Sequence, residues 1–331
     1  DRNFIRGVLG RYVSPDVAQR CLEDREALRL GGDLRTVSIL MSDLRGFSAL
    51  SERLGPETMI GLLNRYFSRM VPVILDHRGT INEFIGDAIL VLFGAPVERP
   101  DDAERAVRCA WAMQRTMTAF NAESRALGLP ELTMGIGLHA GRVVAGNIGS
   151  ADRVKYGVVG PPVNLASRIE SLTVGPQVLL SQEMLERVAP IVRVGPPHSE
   201  SLKGIAEPVV VHELLGVAGE AAAPGPAPAG PAADVSLAAA CYRVQDKRVV
   251  EPALRVQIRR LGLEEVAFDA GADLPADTFD VKLVIEFGDG PPGPGSYARV
   301  ATRAGARVDA VFTALDETDR RRIAARLGAA G

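Results

Sequence analysis

The chain has 331 residues, 47% of them hydrophobic and 24% charged, a balance that suits a soluble globular protein with room for about two domains. A formal net charge of −3 removes the electrostatic case for nucleic acid or an anionic membrane surface as main partner. No apolar run approaches the roughly 18 residues of a membrane span, and no signal peptide opens the chain. The three cysteines, Cys21, Cys109 and Cys241, are far apart, match no metal-ligand spacing, and read as reduced cytosolic thiols.

Residues 1 to 32 read as a helical lead-in, with Ser14 as N-cap and Pro15 at the first helical position, ended by Gly31-Gly32. The first residue is Asp1, so we expect a fragment whose upstream regulatory domain, with any membrane anchor, is missing. Val37 to Ser42 is strand-like. A helix is predicted from Pro56 to His77, with Met59, Leu62, Leu63, Tyr66, Phe67, Met70 and Ile74 at helical spacing and Pro72 expected to kink or shorten it. INEFIGDAILVLFG, residues 81 to 94, reads as a tight hairpin with Gly86-Asp87 at its turn. DDAERAVRCAWAMQRTMTAF reads as a core helix opened by a capping box of Asp101 and Glu104.

TMGIGLHAG reads as a strand, and RVVAGNIGS is expected to return antiparallel to it. VKYGVVG is a further strand. PPVNLASRIESLT is a helix with proline in its first turn. QVLLSQEMLERVA gives a strand and a short helix, and VVVHELLG a last strand. Hairpin connections mixed with helices indicate an α+β class with a mainly antiparallel sheet. Residues 218 to 234 form an Ala/Pro/Gly linker. Residues 235 to 331 carry β-rich runs and then a terminal helix, DETDRRRIAARL, capped by Asp316 or Thr318.

Two acidic residues stand out. Asp87 sits in the hairpin turn and Asp43 follows a β-rich run, so adjacent strands would bring together two carboxylates, a donor set that suits Mg²⁺ on a nucleoside triphosphate. SDLRGFSALSE, GTINEFIGDAILVLFGAP, GIGLHAGRVVAGNIGS and YGVVGPPVNLASRIESLT, in that order, resemble the catalytic domain of class III nucleotidyl cyclases. That family converts ATP or GTP to the 3′,5′-cyclic nucleotide and pyrophosphate. The resemblance implies a cyclase domain over residues 33 to 217 with a ferredoxin-like βαββαβ core.

It further implies two Mg²⁺ or Mn²⁺ ions per site on Asp43 and Asp87, and the backbone of Leu44, Gly46 and Phe47 as a phosphate cradle. Asn164 would orient the ribose, and Arg168 would stabilise charge at the α-phosphate. Arg142 and Lys203 would meet the triphosphate. The family's sites lie at a dimer interface. A homodimer is therefore expected, each site taking Asp43, Asp87 and Arg142 from one subunit and Glu83, Gly157, Asn164, Arg168 and Lys203 from the other. Adenylyl cyclases of the family place lysine where this chain has Glu83, and guanylyl cyclases place glutamate, so the resemblance implies GTP as substrate, with ATP as the alternative. Gly157 departs from both patterns and leaves O6 of guanine to a backbone N–H, a water or Lys155. The remaining reading is an inactive dimerising module. The C-terminal region, 235 to 331, resembles a PilZ domain, a small β-barrel that binds cyclic di-GMP in many bacterial proteins. Arg255 and Arg259 have the RxxxR spacing, but RLGLEEVAF stands where DxSxxG should follow, so a protein partner is expected there and both arginines are read as solvated.

Overall fold

The computed structural model describes residues 17–19, 29–45, 47–150, 152–173, 176–200, 205, 208–221, 232–245, 248–271, 274–275, 278 and 280–329. The helical lead-in and Cys21 lie almost entirely outside them. The chain divides into two compact units, Asp1–Pro224 and Gly225–Gly331.

In the first unit, β1 (Gly31–Leu44), α1 (Phe47–Leu54), α2 (Pro56–Asp76), β2 (Thr80–Ile85), β3 (Ala88–Phe93), α3 (Asp102–Ala126) and β4 (Met134–Gly149) form the βαββαβ order. β5 (Val154–Val159), α4 (Pro161–Leu172), β6 (Val178–Ser181), α5 (Gln182–Val188), β7 (Val192–Val194), β8 (His198–Glu200) and β9 (Val209–Val217) follow. The sheet runs β2-β3-β1-β4-β6-β9-β7, with β5 also on β4 and β8 on β9. Every described pairing is antiparallel except β4 with β6.

Alternation along β1 sorts its side chains to two faces. Leu40 and Leu44 join the larger core with Tyr66, Met70 and Ile74 of α2 and Met113, Met117 and Phe120 of α3. Val37, Ile39 and Met41 face the other way, into a core shared with Val143, Ala145 and Ala166 of α4. Cys109 is buried on α3, and its thiol is driven up by burial.

Four expectations are corrected. First, β1 starts at Gly31 rather than Val37, because its exposed first residues pair with the far half of β4 although they carry no apolar signal. Second, TMGIGLHAG and RVVAGNIGS are one continuous strand, β4, paired with β1 along its whole length; the glycines that suggest a return serve packing instead. Third, α2 runs through Pro72 to Asp76, since fully buried Met70 and Ile74 flank the proline and packing outweighs the lost hydrogen bond. Fourth, Asp101 makes no side-chain cap on α3; the Asp102 carboxylate accepts from the Arg99 N–H at 2.8 Å instead.

The linker is also shorter than composition suggests. Arg108 Nη1 donates to the Ala218 carbonyl at 2.9 Å and the Trp111 indole N–H to that of Ala221 at 3.0 Å, so α3 pins the first linker residues. At the other end Ala232–Asp234 already belong to β10. The second unit is a closed barrel, β10 (Ala232–Gln245), β11 (Arg248–Gly262), β12 (Glu265–Asp269), β15 (Arg307–Ala314), β14 (Ser296–Ala304) and β13 (Asp280–Ile285), followed by α6 (Glu317–Ala329). Its core holds Cys241, Ile258, Phe268, Leu283 and Ile323 of α6, and Asp316 Oδ1 accepts from the Thr318 N–H at 2.9 Å. Arg255 pairs with Glu286 and Arg259 with Asp269. Among the described residues no helix is long and apolar enough to cross a membrane.

Candidate active site

The β2–β3 hairpin turns on Gly86, whose φ of 66° suits glycine, and delivers Asp87 to the end of β1. Asp87 Oδ2 accepts from the Leu44 N–H at 3.0 Å, which places it against the strand end carrying Asp43. Burial, then the hydrogen bond and negative charge of Asp43, push the Asp87 carboxyl up to about 6, against the lowering pull of the Leu44 N–H. Beneath them lies Tyr66, fully buried, its hydroxyl 3.1 Å from Met134 Sδ. Burial raises this phenol, Ser42 opposes the shift, and Asp87 and Asp43 add to it. Two carboxylates crowded at one point repel each other, and a cation held by both would relieve that repulsion. Among the described residues no group of three or more His, Cys, Asp or Glu could hold a metal, but one or two carboxylates plus phosphate oxygens are what Mg²⁺ takes. The pair therefore fits a divalent ion brought with a triphosphate.

The glycines of β4 position the helix that carries Asn164 and Arg168. A Cβ at Gly137 would strike the Glu170 backbone, and one at Gly141 would fall 2.6 Å from Pro162 Cγ. Only glycine lets α4 lie directly on the strand. Asn164 and Arg168 are one turn apart, so they share a face; Asn164 is exposed and Arg168 half-buried.

Asn164 lines a cavity of about 410 Å³ with Asn82, Glu83, Lys155, Gly157 and Ser167 among its walls. A bulge between Ile81 and Glu83 turns neighbouring Asn82 and Glu83 into the same space. Lys155 Nζ stands 2.7 Å from Glu83 Oε1. Lys155 and Gly157 are two apart on β5 and so share a face. Gly157 is not forced by packing: a Cβ there would meet only Ile148 Cδ1 at 3.4 Å and Asn82 Oδ1 at 3.9 Å. Neither Asp43 nor Asp87 is among the residues lining this cavity.

Four further assigned residues stand apart. Leu44 cannot offer its N–H to phosphate while it donates to Asp87, and the Arg45 N–H is engaged by the Thr133 carbonyl at 2.8 Å. Phe47, the first residue of α1, remains for the cradle; Gly46 and Lys203 lie outside the described residues. Arg142 stands apart from the carboxylate pair. It pairs with Thr36 whereas Asp43 pairs with Gly135, and seven residues of extended strand separate the two by roughly 23 Å, beyond the reach of an arginine side chain toward the carboxylates of its own chain. The motif position alone could not reveal this, because it appeared to lie past a turn that does not exist. Arg45 and Asn82 are the residues the sequence left unremarked. Arg45 contacts Glu170 and Thr173 of the α4 end, and Asn82 Oδ1 is buried without a partner among the described residues.

A model of the adenylate and guanylate cyclase catalytic domain matches residues 32–208. Among curated proteins, adenylate cyclase 1 of Rhizobium meliloti (strain 1021) is 32% identical over 208 residues, covering 62% of this chain and 31% of that protein. The solved guanylyl cyclase Cya2 is 50% identical with a TM-score of 0.56, covering 57% of this chain and 96% of that one. The adenylyl cyclase CyaB from P. aeruginosa is 31% identical with a TM-score of 0.56, covering 58% and 100%. The chain spans about a third of the length of the curated relatives it matches. Since the matched domain takes up more than half of the sequence, the chain belongs to the adenylate and guanylate cyclase catalytic-domain family.

Proposed function

We propose that this chain cyclises GTP to 3′,5′-cyclic GMP and pyrophosphate at sites shared by two copies of itself. The ribose 3′-oxygen attacks the α-phosphorus, the bond to the β-bridging oxygen breaks, pyrophosphate leaves, and the hydroxyl proton passes to solvent. Two divalent ions, Mg²⁺ or Mn²⁺, held at Asp43 and Asp87 would neutralise the triphosphate and acidify the attacking hydroxyl. Asn164 orients the ribose. Arg168 meets the charge that grows at the α-phosphate. Phe47, at the start of α1, would face phosphate oxygens with Gly46 beside it in sequence, and Lys203 would supply a further cation to them. Arg142, from the chain that gives Asp43 and Asp87, would supply another cation to the triphosphate.

The observation that carries the choice of base is Glu83 in the cavity beside Asn164, ion-paired with Lys155. An ionised carboxylate is acceptor-only and complements the N1–H and 2-amino group of guanine, while an ammonium can donate to O6. Adenine presents an acceptor at N1 and a donor at position 6, so it meets repulsion at both. The 50% identity to a guanylyl cyclase points the same way. One observation favours ATP instead: the unpartnered Asn82 Oδ1 beside Gly157 would accept from the 6-amino group of adenine.

Turnover of GTP and ATP with Mg²⁺ and with Mn²⁺ decides between them. GTP is expected to be the better substrate, and Glu83→Lys to erode the ratio at least tenfold, since a mismatched buried hydrogen-bonding group costs about 1–3 kcal/mol. Faster turnover of ATP by the parent chain would replace the guanylyl reading by the adenylyl one. No cyclisation of either nucleotide would leave the dimerising module.

A further inference from the structure

Arg45 stands two residues after Asp43, in the loop that leaves the metal end of β1. Its guanidinium does not turn to solvent. Nη2 donates to Thr173 Oγ1 at 2.6 Å and to the Glu170 carbonyl at 3.2 Å, and pairs with Glu170 Oε1. The Glu170 side chain is 6% exposed and that of Arg45 20%, so the pair is largely withdrawn from water, where removing one partner is costly. Gly135 makes the passage: a Cβ there would land on both the Arg45 guanidinium and the Thr173 hydroxyl. The Arg45 backbone is fixed in turn by the Thr133 carbonyl. Glu170 stands two residues after Arg168 on α4. A single side chain thus fastens the loop that follows Asp43 to the helix bearing Asn164 and Arg168.

In the shared-site arrangement, on which this inference rests, those two groups of one chain serve different sites. We propose that Arg45 is a positioning residue for both: it sets the carboxylate end of one active site and the α4 face of the other. It touches no substrate and acts through Asp43 on one side and Arg168 on the other.

Mixed dimers test this with the intact chain. Pairing an Asp43→Ala subunit with an Arg168→Ala subunit leaves one good site, which takes Asp43 from the second chain and Arg168 from the first. Arg45→Ala is then added to one subunit or to the other. Both placements are expected to lower kcat at the surviving site at least tenfold, with KM for the nucleotide little changed. The placement beside the intact Asp43 should also raise the Mn²⁺ concentration for half-activation, and Arg45→Lys should restore part of the loss. An effect confined to the chain that supplies Asp43, or no effect in either, overturns the proposal. Failure of the starting pair to regain activity, despite proven subunit exchange, overturns the shared-site reading instead. Should Arg45→Ala not fold, Glu170→Gln, which keeps the shape and removes the charge, carries the same two placements.

Discussion

Asp43 and Asp87 were legible because each interrupts an apolar strand at its end, where a carboxylate has no packing role. Their chemistry can be checked without turnover. The Asp87 carboxyl is raised to about 6 in the folded, metal-free chain, so ionising it opposes folding: the folded state holds the proton more tightly than the unfolded one, and stability falls as pH rises from the ordinary carboxylate range through 6. Metal-free Asp87→Asn is therefore expected to be more stable than the parent at pH 7, by about 1–2 kcal/mol after allowing for partial exposure, and equal to it near pH 4. Denaturant melts at the two pH values check this; an equal gap at both would remove the electrostatic cause. With nucleotide and Mn²⁺, Asp43→Ala and Asp87→Ala should each abolish cyclisation while keeping the fold. Activity within a few-fold of the parent would sink the metal assignment. Arg142 shows the limit of reading residues singly, since its motif position matches the family while only the β1–β4 ladder shows how far along the strand it stands from Asp43.

At the scale of elements, hydrophobic period recovered α2, α3 and the hairpin, missed the short α1, and misplaced the end of a strand written in glycine. GIGLHAG reads as a strand that turns back after Gly141, yet β4 runs on to Gly149, and Gly135, Gly137 and Gly141 lie on one face of it and are empty so that α4 and Arg45 can fill that face. The signal available was their odd spacing, which suits a strand face and not a turn. Gly137→Val should force α4 off the sheet, because the opposing atoms are backbone and cannot swing aside. A loss of about 2 kcal/mol or more in unfolding free energy is expected, with cyclase activity lost before the fold. A variant as stable and as active as the parent would show that α4 does not rest where the glycines let it. The same logic explains the exposed start of β1, which pairs fully and carries no apolar pattern to announce it.

At the scale of the molecule, composition separated a first unit from a β-rich second one, since an Ala/Pro/Gly stretch cannot bury enough apolar surface to pack. What it could not locate was where packing stops, because that depends on Arg108 and Trp111 reaching out from α3. The split of the site residues into a carboxylate pair and a separate cavity group predicts that neither half suffices. Mixing inactive Asp43→Ala with inactive Arg168→Ala subunits should restore up to a quarter of parental activity, the share expected when half the dimers carry one good site of two. Full inactivity after exchange would place a complete site in each subunit. The hold of α3 on the linker has a use of its own. Trp111 is the sole tryptophan of the chain, and its indole N–H ends on the Ala221 carbonyl. Intrinsic fluorescence excited at the indole band therefore reports from one address, the exit of the catalytic unit. Release of that segment would change the emission while the far-ultraviolet signal of the sheet stays constant, giving an unlabelled optical readout of when the connection to the barrel lets go.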